Sequence, residues 1–298
     1  MAASSSSNRQ FSILIINPNT STHMTDALKP ILDNLNYADV RFDYFTAPST
    51  EPVTVSDGRV VHGLSSIDSA EDSARSALHC RPFLEPLISK YDGLLVACYS
   101  AHPLVGMLKR EIEKLEGVAA SGGSSAAART RRRYVTGIFE ASVTTSLSLI
   151  SSFDLLDDSK LSKVQATDTF GIVSTGTVWK GELSTAVTKM LVGPGEQGGR
   201  IERFAGVETT GLTAIELHST PPATVRRRII EATERLIKGA SHPVSAICMG
   251  CAGMVGMEEA VREGCIQAYG EQQGNSVRIV DGVVAGAGML VAACKSGF

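Results

Sequence analysis

Short apolar runs recur along the whole chain, at residues 12–16, 40–44, 93–97, 134–138, 170–174, 201–204, 244–247 and 277–280. They are apolar at consecutive rather than alternate positions, the pattern of strands buried on both faces of a parallel sheet. Stretches with helical spacing lie between them, at residues 20–35, 65–90, 103–115, 178–191, 224–239 and 258–270. This alternation of strand and helix restricts the chain to the α/β class with mostly parallel sheets. Eight such strands suit one wide sheet or two sheets of about four, and periodicity does not choose between them.

With 298 residues the chain is long enough for one large domain or two ordinary ones. Its 28 basic and 31 acidic residues leave a net charge of −3, so nothing global recommends a nucleic-acid or membrane-surface partner. The longest apolar run, residues 283–294, is broken by Gly286 and Gly288 and falls far short of the ~20 residues that span a bilayer. Six cysteines without a secretory leader read as reduced thiols in a cytoplasmic protein. Ser-rich residues 1–10 read as a disordered tail; a transit peptide would carry more arginine. Residues 117–133 break the rhythm with Gly, Ser and Ala, then close on Arg129, Arg131, Arg132 and Arg133. They read as a flexible insertion, the alternative being a basic regulatory or targeting patch. Arg226 to Arg228 fall inside a helical stretch and read as a solvated face.

Ligands of open parallel sheets bind beyond the carboxyl ends of the strands, so the residues there carry the chemistry. After the first strand, Asn17-Pro18-Asn19-Thr20-Ser21 matches neither G-x-G-x-x-G nor a P-loop. Its amides and hydroxyls suit either capping by Thr20 or Ser21, or a pocket for a small polar ligand. The third strand runs into Cys98-Tyr99-Ser100-Ala101-His102-Pro103, with Pro103 fitting the first position of a helix. A thiol between a strand end and a helix N-terminus sits where the dipole favours a thiolate; a buried structural cysteine is the alternative. The seventh strand leads through Cys248-Met249-Gly250 to Cys251-Ala252-Gly253-Met254, a second thiol in a turn of small residues. The C-x-x-C spacing of Cys248 and Cys251 raises a metal or dithiol reading. No further pair of ligands has suitable spacing, however, and Cys248 falls within the strand. Thr175-Gly176-Thr177, after the fifth strand, again suits a cap or a ligand contact. The six histidines form no metal-binding motif and no G-x-S-x-G elbow appears, so no metal or cofactor is expected. His102, the one histidine near a proposed site, reads equally as a cap, a packing residue or a catalyst.

Cys98 and Cys251 occupy equivalent strand ends about half the chain apart. If two similar halves face each other, the thiols confront one another across a cleft. A thiolate on one side can then take a proton from carbon while a thiol on the other returns one to the opposite face. The outcome is stereoinversion without a cofactor. A free cysteine, with a pKa of about 8.5, is only a few per cent thiolate at pH 7, so a helix N-terminus is expected to lower one of the two. Strand-end N–H groups and the hydroxyls of Ser21, Ser100 and Thr175 are candidates to hold the developing enolate oxygen.

Five motifs in order resemble the aspartate/glutamate/hydantoin racemase superfamily, and its hydantoin and allantoin racemase branch most. They are Asn17-Pro18-Asn19-Thr20-Ser21, Val96-Ala97-Cys98, Gly137-Ile138-Phe139-Glu140-Ala141-Ser142, Gly250-Cys251-Ala252-Gly253-Met254 and Asp281-Gly282-Val283. The stretch from Cys98 to Pro103 is similar to fungal members linked to nitrogen metabolism. The resemblance covers residues 11–298 apart from the insertion. It implies two similar flavodoxin/Rossmann-like parallel-sheet domains facing each other across a central cleft, PLP-independent racemisation, and a homo-oligomer. On that pattern residues 1–10 are a tail, 11–116 plus 275–298 the N-terminal domain, 117–133 an insertion and 134–274 the second domain. Cys98 and Cys251 become the acid–base pair, and Asn17, Ser21, Tyr99, Ser100, Ser142, Thr175, Ala252 and Gly253 the residues in contact with a small-molecule substrate.

Two departures bear on the substrate. Glutamate and aspartate racemases follow the second cysteine with Thr and then His or Glu, where this chain has Ala252-Gly253. That favours a hydantoin ring, whose C–H is more acidic, over an amino acid. Hydantoin racemases usually carry Phe-Gly-Asp-Pro after the first cysteine, where this chain has Tyr99-Ser100-Ala101-His102-Pro103, so the pocket rim is altered. The leading expectation is a racemase of 5-substituted hydantoins or allantoin. The alternatives are a related cysteine-dependent isomerase or decarboxylase acting on a dicarboxylate, amino acid or natural-product intermediate, a non-catalytic ureide-binding protein, and a redox switch using Cys248 and Cys251.

Overall fold

The computed structural model describes residues 9–121, 132–157, 162–192 and 201–298. Residues 1–8 of the expected tail and 122–131 of the expected insertion lie outside the described residues. The first half contains β1 (Phe11–Asn17), α1 (Thr22–Asp33), β2 (Val40–Thr46), β3 (Val53–Thr54), β4 (Val60–Val61), α2 (Ala70–Ile88), β5 (Gly93–Val96), α3 (Pro103–Ser121) and β6 (Tyr134–Gly137). Then come α4 (Ile138–Leu149), β7 (Phe153–Asp157), β8 (Ser162–Gln165), β9 (Thr169–Ser174), α5 (Trp179–Val192), β10 (Phe204–Thr209), α6 (Glu216–Ser219) and α7 (Pro222–Gly239). The chain closes with β11 (Val244–Gly250), α8 (Glu258–Tyr269), α9 (Glu271–Ser276), β12 (Arg278–Asp281) and α10 (Gly282–Ser296).

The α/β expectation holds, and the question of one sheet or two resolves into two four-stranded parallel sheets. Their orders correspond strand for strand: β2-β1-β5-β6 in the first and β10-β9-β11-β12 in the second. The two remaining pairs, β3–β4 and β7–β8, are small antiparallel hairpins. Continuous apolar runs dictate this layering. Along β1, Ile13 and Ile15 face one core while Leu14 and Ile16 face another, so helices must cover both sides. The shared inner core joins Ile13, Ile15 and Leu95 of the first sheet to Phe170, Ile172 and Ala246 of the second through residues of α1, α4, α5 and α10. On the outer faces α2 and α3 cover the first sheet, and α7 and α8 the second. Each fully buried Leu, Ile or Phe contributes about 1.5–3 kcal/mol by leaving water.

The expected domain boundaries need correction at two strands. Tyr134–Gly137, placed at the start of the second domain, pairs with β5 and is an edge of the first sheet. Arg278–Asp281, placed with the N-terminal domain, pairs with β11 and is an edge of the second. The helices that follow cross over between the sheets. Each edge strand passes without a loop into a helix that packs on the opposite sheet: α4 against β9, β11 and β12, and α10 against β1, β5 and β6. The two helices meet near their starts, where a Cβ on Gly282 would lie 2.7 Å from the Ile138 carbonyl oxygen, so only glycine fits. Strand 201–204 is also displaced, because the strand runs over Phe204–Thr209. Gly206, at φ +115°, sits in a register shift there and interrupts the apolar run.

At the far end of the insertion, Arg133 donates its backbone N–H to Glu116 and its guanidinium to the Ser89 carbonyl. Arg226 and Arg227 pair with Glu263 and Glu231 on the surface, the solvated face expected of them. Among the described residues no helix is long and apolar enough to cross a membrane.

Candidate active site

Both sheets point the carboxyl ends of their central strands at one chamber. Cys98 lies two residues beyond the end of β5 and Cys251 immediately beyond β11, and both line that chamber together with Asn19, Tyr99, Thr175, Trp179 and Ala252. The separation of the two thiols along the chain is thus cancelled by the matching strand order. The chamber is a cavity of about 30 Å³. For scale, an apolar cavity of about 150 Å³ holds a benzene molecule. A substituted ring therefore enters only if a wall moves.

The surroundings of the two sulfurs differ. The Ser100 hydroxyl lies 3.6 Å from the Cys98 sulfur, and Ser73 Oγ is 3.2 Å from Ser100 Oγ. Ser73 can donate to Ser100, leaving the Ser100 proton for the sulfur. Cys251 caps a single 3₁₀ turn, Ala252–Met254, and its sulfur accepts the Gly253 N–H at 3.3 Å. The expectation that a helix N-terminus lowers one thiol pKa is not met. Burial pushes Cys98 up to about 12, opposed in part by Ser100, and pushes Cys251 up to about 11, opposed by the Gly253 and Met254 N–H groups. Four residues separate Cys98 from α3, and the turn after Cys251 is too short to supply a sizeable dipole, so desolvation wins. A charged Cys251 further opposes ionisation of Cys98. The pair is therefore held to one thiolate at most.

Of the substrate-contact candidates, Tyr99, Thr175 and Ala252 line the chamber with the thiols. Asn17 does not. At 3% exposure, its amide donates to Asn19 Oδ1, the Ser21 carbonyl and Thr25 Oγ1, bracing the loop after β1. Ser21 caps α1 by accepting from the Met24 N–H. Ser142 is buried behind Tyr99, 2.8 Å from the phenol oxygen. Ser100 and Gly253 act on the sulfurs themselves. His102 proves to be a cap: Nδ1 accepts the Leu104 N–H, so Nε2 carries the proton and faces Ser76 Oγ at 2.9 Å. Burial holds its pKa down at about 3, so the imidazole stays neutral. Cys248 lies inside β11 with its sulfur 3.1 Å from Ser146 Oγ, and none of the six cysteines is in a disulfide.

Asn19, Ile67, Asp68 and Trp179 were not singled out from the sequence. Asn19 is the loop's second amide; its Nδ2 reaches only the Met24 thioether at 3.3 Å, a weak acceptor, which leaves donor capacity at the chamber. The repeated Asn-x-Asn is the available signal, and of the two amides Asn19 is the one that lines the chamber. Asp68, just before α2, lies close enough for its charge to oppose ionisation of both thiols. Nothing in its local sequence marks it. Trp179, the first residue of α5, is reached only through the fold. Among the described residues no cluster of three His, Cys, Asp or Glu side chains could hold a metal ion.

Comparisons with known proteins agree with this geometry. The chain is 29% identical over 278 residues to uncharacterized protein C1F7.10 of Schizosaccharomyces pombe, covering 93% of this chain and 90% of that one. Its fold is similar to the crystal structure of allantoin racemase from Pseudomonas fluorescens, with a TM-score of 0.65 and 19% identity over 97% of this chain and 92% of that one. Allantoin racemase from Klebsiella pneumoniae gives a TM-score of 0.63 at 19% identity, covering 97% of this chain and 89% of that one. Residues 13–290 match the Asp/Glu/hydantoin racemase family, and the chain belongs to that family of isomerases.

Proposed function

We propose that the protein is a cofactor-independent racemase of allantoin or of 5-substituted hydantoins, in which Cys98 and Cys251 exchange the proton on the ring carbon. One observation carries the choice of substrate: the chamber brings two thiols together and has no charged side chain in its wall. An amino acid or dicarboxylate would have to bury a carboxylate there without a cationic partner, at a cost of several kcal/mol. Asp68 nearby would add repulsion. A hydantoin ring is neutral at pH 7, and its N–H groups and carbonyls can be met by Asn19, Thr175 and backbone groups.

In the forward step a thiolate takes the C5 proton and becomes a thiol, while the C–H electron pair moves into the enolate of the neighbouring carbonyl. The opposite thiol then gives its proton to the other face of C5 and is left as the thiolate. The pair ends with its proton on the other sulfur, ready for the mirror-image substrate. Mutual repulsion of the two charges serves this cycle, since it needs one thiolate and one thiol. The chemistry requires both thiols free and hence a reducing compartment.

The test is incubation of single enantiomers of allantoin and of a 5-alkylhydantoin in D2O. The reading expects loss of optical rotation with deuterium entering at C5, each reduced by about 10²–10⁴-fold in Cys98→Ala and in Cys251→Ala. If no hydantoin exchanges above the uncatalysed rate, the substrate assignment fails.

A further inference from the structure

Beyond the chamber a second pocket of about 190 Å³ opens between the start of α2, the loop from Cys98 to Pro103, and α5. Trp179 lines both spaces, so its indole is the partition between them. Ser100, which touches the Cys98 sulfur, lines the second. The chamber alone is too small for a ring together with its substituent, and the pocket beside it adds about 190 Å³. The walls of the second pocket are polar where they matter. Ser73, Ser100 and Thr185 present hydroxyls, and Glu182 and Lys189 stand about one and three turns beyond Trp179 on the same face of α5.

We propose that this pocket is the subsite for the substituent on the ring, that Trp179 swings aside to join it to the chamber, and that it selects a polar, hydrogen-bonding substituent of the ureido type. The inference rests on the hydantoin-ring reading above and narrows it. A ureido group brings N–H donors for the Glu182 carboxylate and a carbonyl for Lys189 or the hydroxyls. An alkyl or benzyl group would strip water from those groups and replace nothing.

The chain has a single tryptophan, so its fluorescence reports this partition without any need for turnover. Allantoin should shift or quench Trp179 emission saturably, while unsubstituted hydantoin should change it little. Deuterium exchange into unsubstituted hydantoin then separates ring chemistry from substituent binding. Ala186 on α5 lines the far wall of the pocket, and Ala186→Leu, which fills it, should lower kcat/KM for allantoin by about tenfold or more and leave hydantoin exchange near the wild-type rate. Glu182→Leu should shift the preference from allantoin towards 5-isobutylhydantoin by a similar factor. Equal losses on hydantoin and allantoin in Ala186→Leu, or a Trp179 spectrum indifferent to saturating allantoin, would overturn the subsite while leaving the racemase reading intact. Absence of exchange into every hydantoin by the wild-type protein would remove the reading beneath it instead.

Discussion

The two halves share a strand order but treat their thiols differently. In the first half the sulfur of Cys98 leans on a side chain, Ser100, itself backed by Ser73 on α2. In the second half the sulfur of Cys251 is held by main-chain N–H groups of the turn it caps. A backbone donor is fixed by the fold, whereas a hydroxyl rotates and can also face its neighbour. Equivalent positions in equivalent sheets therefore do not make equivalent acids. Burial nonetheless raises both thiols, Cys251 to about 11 and Cys98 to about 12.

The largest test of this difference is pH. Each thiol pKa is raised, so the thiolate is the minor species at neutrality, about one part in ten thousand at pH 7 for a pKa of about 11. Raising the pH increases that fraction tenfold per unit, and kcat/KM reports the ionisation of the free enzyme. We expect log kcat/KM for either enantiomer to rise with unit slope, about a hundredfold from pH 7 to 9. A plateau below pH 8 would show that a thiol ionises far more readily than its burial implies.

Ser100→Ala should cost about tenfold in kcat/KM, because a hydrogen bond to a charged group is worth about 1.5–3 kcal/mol and part of it is recovered from solvent. Racemisation has an equilibrium constant of one, so kcat/KM must fall equally for both enantiomers. The asymmetry between the halves should appear only when kcat and KM are measured separately in each direction. Identical kcat changes for the two enantiomers would mean that the thiols are interchangeable after all.

The smallest effects concern the scaffold and are read by thermal or urea denaturation. Gly282→Ala drives a methyl against the Ile138 carbonyl where the exchanged helices meet, and should destabilise by about 1–3 kcal/mol. Gly181→Ala, at an exposed position of α5 with nothing within 4 Å of the new methyl, should stabilise by about 0.5–1 kcal/mol. Equal responses would deny that the junction of α4 and α10 is tightly constrained.

The strands of both sheets were legible because burial on two faces writes itself as unbroken apolar runs. Helix α10 was hidden because its outward face, where Met289 is exposed, is as apolar as the face packed on both sheets, so residues 283–294 read only as an apolar run too short for a membrane. Helix α4 was obscured because it begins without a break at the end of β6, so the strand reading ran on into Ile138. Cys98 and Cys251 were legible from their places at strand ends. Their elevated pKa values were not, since a sequence shows which helix follows a thiol but not how much of the molecule encloses it. Asn17 and Asn19 differ only in which way the loop after β1 turns them, and the contact between Trp179 and two separate pockets depends on helix α5 lying against the other half.

The exchange of α4 and α10 also bears on how the chain is made. The first sheet emerges early in synthesis, yet part of its inner face is covered by a helix that ends at Ser296. Until that helix arrives, Ile13, Ile15 and Leu95 lack part of the core they share with Val283, Ala287 and Leu290. A ribosome stalled anywhere before α10 would thus hold out an adhesive surface, and the docking of α10 is the event that seals both sheets together.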